Sequence, residues 1–200
     1  METTDTSQRL SLLCISGSPR RGGNTDRLLD QASAGAASRG ARVKHIVLND
    51  LDIAPCQHCD GCIQTGGICA IADDMQWILE DLRQFDRFIL ASPVFFMGVP
   101  AQAKAMIDRC QALWVIKYIM KSPVGLNKGV PRKGAFMCAG GRTHDNLFDG
   151  SLSTVKSWYH VLEAEYAGDV LVQGVERYND IDKNQGALKQ AYELGRNIVI

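Results

Sequence analysis

Apolar runs too short for helices alternate along this chain with longer segments of helical periodicity, and few folds admit that rhythm. RLSLLCIS (9–16), ARVKHIVL (41–48), RFILASPV (87–94), KGAFMCAGG (133–141) and DVLVQGV (169–175) read as strands. They are short and rich in aliphatic residues, and Gly17, Pro93 and the Gly140–Gly141 pair punctuate three of them. Helical spacing occupies the intervals. Residues 24–38 form the first such segment, with Asn24 or Thr25 as the expected cap. Residues 73–85 open with two aspartates, as the positive end of a helix dipole favours. Residues 100–113 place a proline in the first turn, and segments 152–163 and 183–199 complete the set.

Strands and helices in strict alternation predict parallel strands joined by right-handed crossovers. Five of each predict an α/β fold: a flavodoxin-like, doubly wound sheet of five parallel strands in the order 2-1-3-4-5. No linker or repeat divides the chain, so residues 1–200 read as one domain with a Cys-rich insertion at about 54–72.

Composition narrows the partners. The 22 Lys and Arg balance 22 Asp and Glu, which argues against nucleic acid or an anionic membrane surface. No apolar run approaches the roughly 20 residues that cross a bilayer. METTDTSQRL lacks the basic and apolar regions of a signal peptide. The reducing cytoplasm is the expected compartment, where clustered cysteines serve as metal ligands or redox groups rather than disulfides.

In the order 2-1-3-4-5 the loops after strands 1, 3 and 4 share one crevice, beyond the carboxyl ends where ligands bind. The first loop, SGSPRRGGNT (16–25), leads into a helix N-terminus and suits a phosphate. Ser18, Asn24 and Thr25 offer side-chain hydrogen bonds and Arg20 a charge-assisted one. The loop has neither the ATP-binding Gly-Lys-Ser/Thr ending nor the Gly-x-Gly-x-x-Gly dinucleotide pattern; a plain glycine-rich turn is the bland alternative. In the second, SPVFFMGVPAQAKAMIDR (92–109), Pro93, Val94, Phe95, Phe96 and Gly98 form a rigid wall for a flat ring held by backbone amides. Ordinary core is the alternative for the Phe pair. The third, AGGRTHDN (139–146), has glycines that permit close backbone approach to a ligand, with His144 a candidate for its polar edge.

PCQHCDGCIQTGGIC (55–69) carries Cys56, Cys59, Cys62 and Cys69 in the spacing C-x2-C-x2-C-x6-C. Three thiolates at three-residue intervals can take three corners of a cubane, and Gly66 and Gly67 let the chain return Cys69 to the fourth. Zinc prefers two separated C-x2-C pairs; redox thiols without metal are a third reading, and all three stay open. Cys14 and Cys138 read as buried hydrophobes, and Cys110 as a helix-end cysteine for which the sequence implies no partner. His45 and His160 read as structural, and His58 as solvent-facing. LWVIKYIM (113–120) serves core or interface equally well.

GSPRRGGNT, SPVFFMGVPAQAKAMIDR and the cysteine segment between them, in this order, resemble the flavodoxin-fold FMN reductases and, within them, the iron–sulfur flavoproteins. The resemblance covers residues 10 to 145; the last 55 match only in rhythm. It implies FMN with its phosphate on Ser16, Ser18, Arg20, Asn24 and Thr25. It implies ring contacts from Pro93, Val94, Phe95, Phe96 and Gly98, with Ala139, Gly140 and Gly141 opposite. Phe95 stands where many relatives have Tyr, which removes a hydroxyl. The resemblance also implies a [4Fe–4S] cluster on the four cysteines, NAD(P)H as electron donor, and homodimers or homotetramers that bring the cysteine loop near a neighbour's flavin. Ferredoxin, quinone and oxygen species are the other redox partners it admits. A cluster-free NAD(P)H-dependent flavin or quinone reductase is the alternative enzyme. A flavodoxin-type carrier fits less well, since docking by charge favours an acidic surface, and a zinc-stabilised binding module is the remaining class.

Overall fold

The structure, a computed structural model, describes residues 10–127 and 129–200; Arg9 and the eight residues before it lie outside the described residues. The strands are β1 (Ser11–Ser16), β2 (Arg42–Val47), β3 (Arg87–Pro93), β4 (Arg132–Gly140) and β5 (Ala164–Gln173). The helices are α1 (Asn24–Ala37), α2 (Gly61–Gln64), α3 (Met75–Gln84), α4 (Ala101–Arg109), α5 (Gln111–Trp114), α6 (Asp149–Val161) and α7 (Gln185–Ile198). The sheet order is β2-β1-β3-β4-β5 and every neighbouring pair is parallel, as the alternation predicted.

Successive strand residues feed two separate cores, because their side chains alternate between faces. Leu13, Ile15, Phe88, Leu90, Phe136 and Cys138 pack under α3, α4, α5 and α6. Leu12, Cys14, Ile89, Ala91, Ala135 and Met137 pack under α1 and α7. Both faces of the central strands are thus covered, which is why those strands read as unbroken apolar runs. On the second face α1 and α7 approach until their backbones nearly touch. A Cβ on Gly35 would sit 2.0 Å from the Tyr192 carbonyl oxygen, and one on Gly195 would sit 1.9 Å from that of Ala32.

Four local expectations change. Gly23, not Asn24 or Thr25, precedes α1, and no side chain caps it. The helix expected to run to Leu113 breaks at Cys110 and resumes as α5 and a π-helical turn, Val115–Ile119. The apolar stretch 113–120 is therefore split: Leu113, Val115 and Ile116 are core, whereas Tyr118, Ile119 and Met120 are exposed. Helix α6 begins at Asp149, ahead of its first apolar residue. Strand β5 begins at Ala164, five residues before the apolar run, because an edge strand tolerates the polar sequence AEYAG. Gly168 there adopts φ +130° at the register shift against Gly134 and Ala135, a conformation glycine alone adopts readily.

The cysteine segment is closed at its neck by a buried ion pair. Arg109 and Asp73 have side chains 1% and 5% exposed. The Arg109 Nη1 donates to Asp73 Oδ2 at 2.6 Å and Nη2 to Asp73 Oδ1 at 3.0 Å, a bidentate pair. The same guanidinium donates to the carbonyls of Ala54 (2.8 Å) and Ile71 (3.2 Å), which flank the segment on either side. Asp73 in turn accepts from the amides of Ala54 and Met75, the latter starting α3. Burial opposes ionisation of Asp73, but these hydrogen bonds outweigh it and hold its pKa below the ordinary carboxylate value.

Two outcomes follow. Gly195→Ala should lower unfolding free energy by about 1–3 kcal/mol through overpacking, despite alanine's better helix propensity; denaturant titration with an unchanged m-value would show it. Asp73→Asn should cost about 3–5 kcal/mol at neutral pH by leaving a buried guanidinium uncompensated. The Asp73 pKa is depressed in the folded state. Its contribution is therefore complete above the unfolded value near pH ~3.9 and is lost as pH falls through the folded one. The stability gap between wild type and Asp73→Asn should accordingly narrow below about pH 4.

Candidate functional site

A cavity of about 490 Å³ opens at the carboxyl rim of the sheet, within the ~300–1,000 Å³ range of small-molecule sites. Ser18, Arg20, Asn24, Thr25, Pro93, Val94, Phe95, Ala139, Gly140 and Gly141 line it, so the three loops meet as expected.

One end is the start of α1. The first amides of a helix have no intrahelical acceptor, and here no side chain at Gly23 supplies one. The loop before it is held from within. Asp26 accepts from the Ser16 hydroxyl (2.5 Å) and from the Gly22 amide (2.8 Å). The Ser18 hydroxyl accepts from the Arg20 amide at 3.1 Å and donates to the Arg20 carbonyl at 3.0 Å. Uncapped amides, a positive dipole end and the Arg20 guanidinium together form an anion site suited to a phosphate.

Four of the candidate residues, Ser16, Phe96, Gly98 and His144, do not line the cavity. Ser16 is buried and its hydroxyl is engaged by Asp26. Phe96 and Met97 occupy the centre of a tight turn with φ of 48° and 64°, closed by reciprocal hydrogen bonds between Phe95 and Gly98, both 2.9 Å. Phe96 is thereby thrust fully into solvent, and Gly98 closes the turn. The amides of Val94 and Phe95 donate to the carbonyls of Ala139 and Gly98, so this wall offers apolar contact rather than the expected backbone donors. Asn24 lines the cavity with its side chain occupied elsewhere: it donates to the Arg177 carbonyl and accepts from the Ile181 amide. His144 does not line the cavity; its backbone is paired with the Gln173 side chain.

The glycines of the third loop make room for protein neighbours. A Cβ on Gly140 would stand 2.6 Å from Val94 Cγ1, and one on Gly141 would stand 2.9 Å from Glu176 Cβ. Glu176 and Val175 belong to the loop after β5, a fourth wall that the sequence reading missed, together with Pro19, Gly23 and Arg142 inside loops already singled out. The signal was available, because β5 neighbours β4 in the predicted order. This loop is latched to the first: Tyr178 donates to the Arg21 carbonyl at 2.6 Å, and Arg20 stands over the Tyr178 ring. A shaped cavity with an anion site at one end and apolar walls at the other fits FMN.

The four clustered cysteines, all free thiols, line a second, small hollow together with Arg109, Gln111 and Ala112. Gly66 and Gly67 take φ of 70° and 102°, and a Cβ on Gly67 would lie 2.3 Å from Ile116 Cγ1, so the returning chain packs directly on the π-helical turn. Burial pushes the Cys62 thiol above its usual pKa, and the nearby Cys69, Cys56 and Cys59 sulfurs add to the effect. Among the described residues no three His, Cys, Asp or Glu side chains converge closely enough for a single metal ion. Four thiols around a hollow are a donor set that fits a multi-iron sulfur cluster. His58 is exposed, with φ 50°. Cys110 and Cys138 are buried hydrophobes whose thiols burial pushes up to about 12; Cys110 does have a partner, since the Trp158 indole donates to its sulfur at 3.2 Å. The exposed His45 ring pairs with Ser33. No residue lines both the cavity and the hollow. No described helix is long and apolar enough to cross a membrane.

An iron–sulfur flavoprotein of Methanosarcina thermophila is 28% identical over 184 residues, 92% of this chain and 91% of that one. One from Archaeoglobus fulgidus is 40% identical over 113 residues, 56% of this chain and 57% of that one. Among solved structures, an NAD(P)H:quinone oxidoreductase from Methanothermobacter marburgensis superposes with a TM-score of 0.68 at 16% identity, covering 95% of this chain and 97% of that one; at that identity the likeness speaks for the fold. The sequence pattern described as NADPH-dependent FMN reductase matches residues 10–162. The chain belongs to the NADPH-dependent FMN reductase family of flavin-dependent oxidoreductases.

Proposed function

We propose that this protein binds FMN in the rim cavity and a [4Fe–4S] cluster on Cys56, Cys59, Cys62 and Cys69, and passes electrons from NAD(P)H or the cluster to an acceptor. The observation that carries the FMN assignment is the uncapped start of α1 opening into the cavity beside Ser18, Thr25 and Arg20. FMN, when bound, supplies hydride and single-electron chemistry, and a cluster supplies one-electron transfer.

The chain's own groups do the holding. The α1 amides, Thr25 and Arg20 take the phosphate, Ser18 holds the loop through its two hydrogen bonds to the Arg20 backbone, and the Asn24 side chain keeps the fourth wall in place instead of reaching the ligand. Pro93, Val94 and Phe95 present one apolar wall, and Ala139, Gly140 and Gly141 the other. The cavity is open to solvent, so NAD(P)H and an acceptor such as a quinone, a ferredoxin or an oxygen species take turns at one face. The cysteine assignment rests on four free thiols around one hollow. Because the two sites share no residue, we read the working form as a homodimer or homotetramer in which one chain's cysteine loop approaches a neighbour's cavity. The exposed Phe96, Tyr118, Ile119 and Met120 supply apolar surface for such contacts.

Arg20→Ala should weaken FMN binding about tenfold to a hundredfold, the loss of one charge-assisted hydrogen bond. Affinity for riboflavin, which lacks the phosphate, should stay unchanged. Flavin fluorescence titration reads both, and equal losses for the two ligands would refute the phosphate role. Protein purified without oxygen should carry one FMN and about four irons per chain. Cys59→Ala should lose the iron and keep its FMN affinity. Full iron loading in that variant would exclude Cys59 as a ligand, and an iron-free, flavin-loaded wild type would leave a cluster-free reductase.

A further inference from the structure

Arg109 has a donor to spare, and its position says what that donor is for. A guanidinium carries five N–H groups. Four are engaged at the neck: Nη1 with Ala54 and Asp73, Nη2 with Ile71 and Asp73. The fifth, Nε–H, is buried and makes no hydrogen bond of regular geometry within the protein. A buried donor on a charged group is costly to leave without a partner, and from the hollow side the protein group acting on this guanidinium is the Cys69 sulfur, so the open N–H points to an acceptor among the sulfurs gathered there. Arg109 lines the hollow shared by the four cysteines, and its guanidinium stands beside the Cys69 sulfur. The end-on pairing with Asp73 fixes the plane of the group, and the two flanking carbonyls prevent it from turning away.

We infer that Arg109 is a hydrogen-bond donor and fixed positive charge to the sulfurs of the cluster, and that it raises the cluster's reduction potential. This rests on the reading that Cys56, Cys59, Cys62 and Cys69 hold such a cluster. Reduction adds one electron to the centre. A cation and a hydrogen bond at its sulfurs favour the more negative state, and hydrogen bonds to the sulfurs are among the determinants of such potentials. Asp73 is then a positioning residue: it holds the guanidinium by its far edge and leaves Nε for the centre.

The test uses the full chain, purified without oxygen, with the potential read by electron paramagnetic resonance during titration with dithionite. Arg109→Gln with four irons per chain should titrate lower than wild type by at least the ~59 mV of a tenfold change in a one-electron equilibrium. Arg109→Lys, which keeps the charge, should fall between. Wild-type protein carrying ¹⁵N-arginine should show a weak ¹⁵N coupling to the reduced cluster in pulsed resonance, absent from Arg109→Lys. The coupling is measured in unaltered protein, so it decides the matter if Arg109→Gln does not hold iron. A fully loaded Arg109→Gln at the wild-type potential, or a loaded wild type without ¹⁵N coupling, would overturn the inference and leave the cluster standing. A wild type that never contains iron would remove the cluster and the inference together.

Discussion

A parallel sheet leaves little choice about where its loops meet. Each strand is entered from the same end, so the chain crosses back through a helix and every carboxyl end lies on one rim. Here the turn after Ser16, the wall after Pro93 and the glycines after Ala139 stand side by side because β1, β3 and β4 are neighbours. The arrangement is held by burial on both faces of the sheet, and the Val94–Ala139 hydrogen bond ties the second loop to the third. The same rule gathers helix starts at the rim, with their unsatisfied amides. An uncapped α1 would be a defect in an apolar interior; at an open cavity its first amides stay available to a ligand.

The cysteine segment obeys a different constraint. It is an insertion with almost no core of its own, and its one short helix, α2, contains no buried residue. Its shape depends on two anchors, the Arg109–Asp73 pair at the neck and Gly67 pressed on Ile116. Buried ion pairs are often poor sources of stability because desolvation offsets attraction. This one ties Ala54, Ile71 and the start of α3 to one point, which rigidifies a loop that hydrophobic packing leaves free. A preorganised set of thiols follows from that tie.

Much of this was legible in order along the chain. Strand positions, both loop motifs and the cysteine grouping follow from apolar periodicity, glycine and proline punctuation, and spacing. The errors cluster where a residue's partner is distant in sequence. Asn24 looked like a cap or phosphate ligand, but its partners, Arg177 and Ile181, lie more than 150 positions away. Phe96 looked like part of a ring wall, yet a two-residue reversal with positive φ turns it outward. The start of β5 was missed because a polar edge strand carries no period-2 signal. Arg109 closes the motif SPVFFMGVPAQAKAMIDR with nothing local to mark it, since its partner Asp73 lies thirty-six residues earlier.

Local pattern by itself determined which segments are strands and helices, that the strands run parallel, and that the loops after them share one rim. It could do so because periodicity and backbone chirality act over a few residues and dictate crossover handedness. Tertiary structure alone decided which side chains face the cavity, which donors are already occupied, and that the cysteine hollow and the cavity stand apart. Those outcomes depend on long-range hydrogen bonds and close packing, whose partners are specified only once the chain has brought them together.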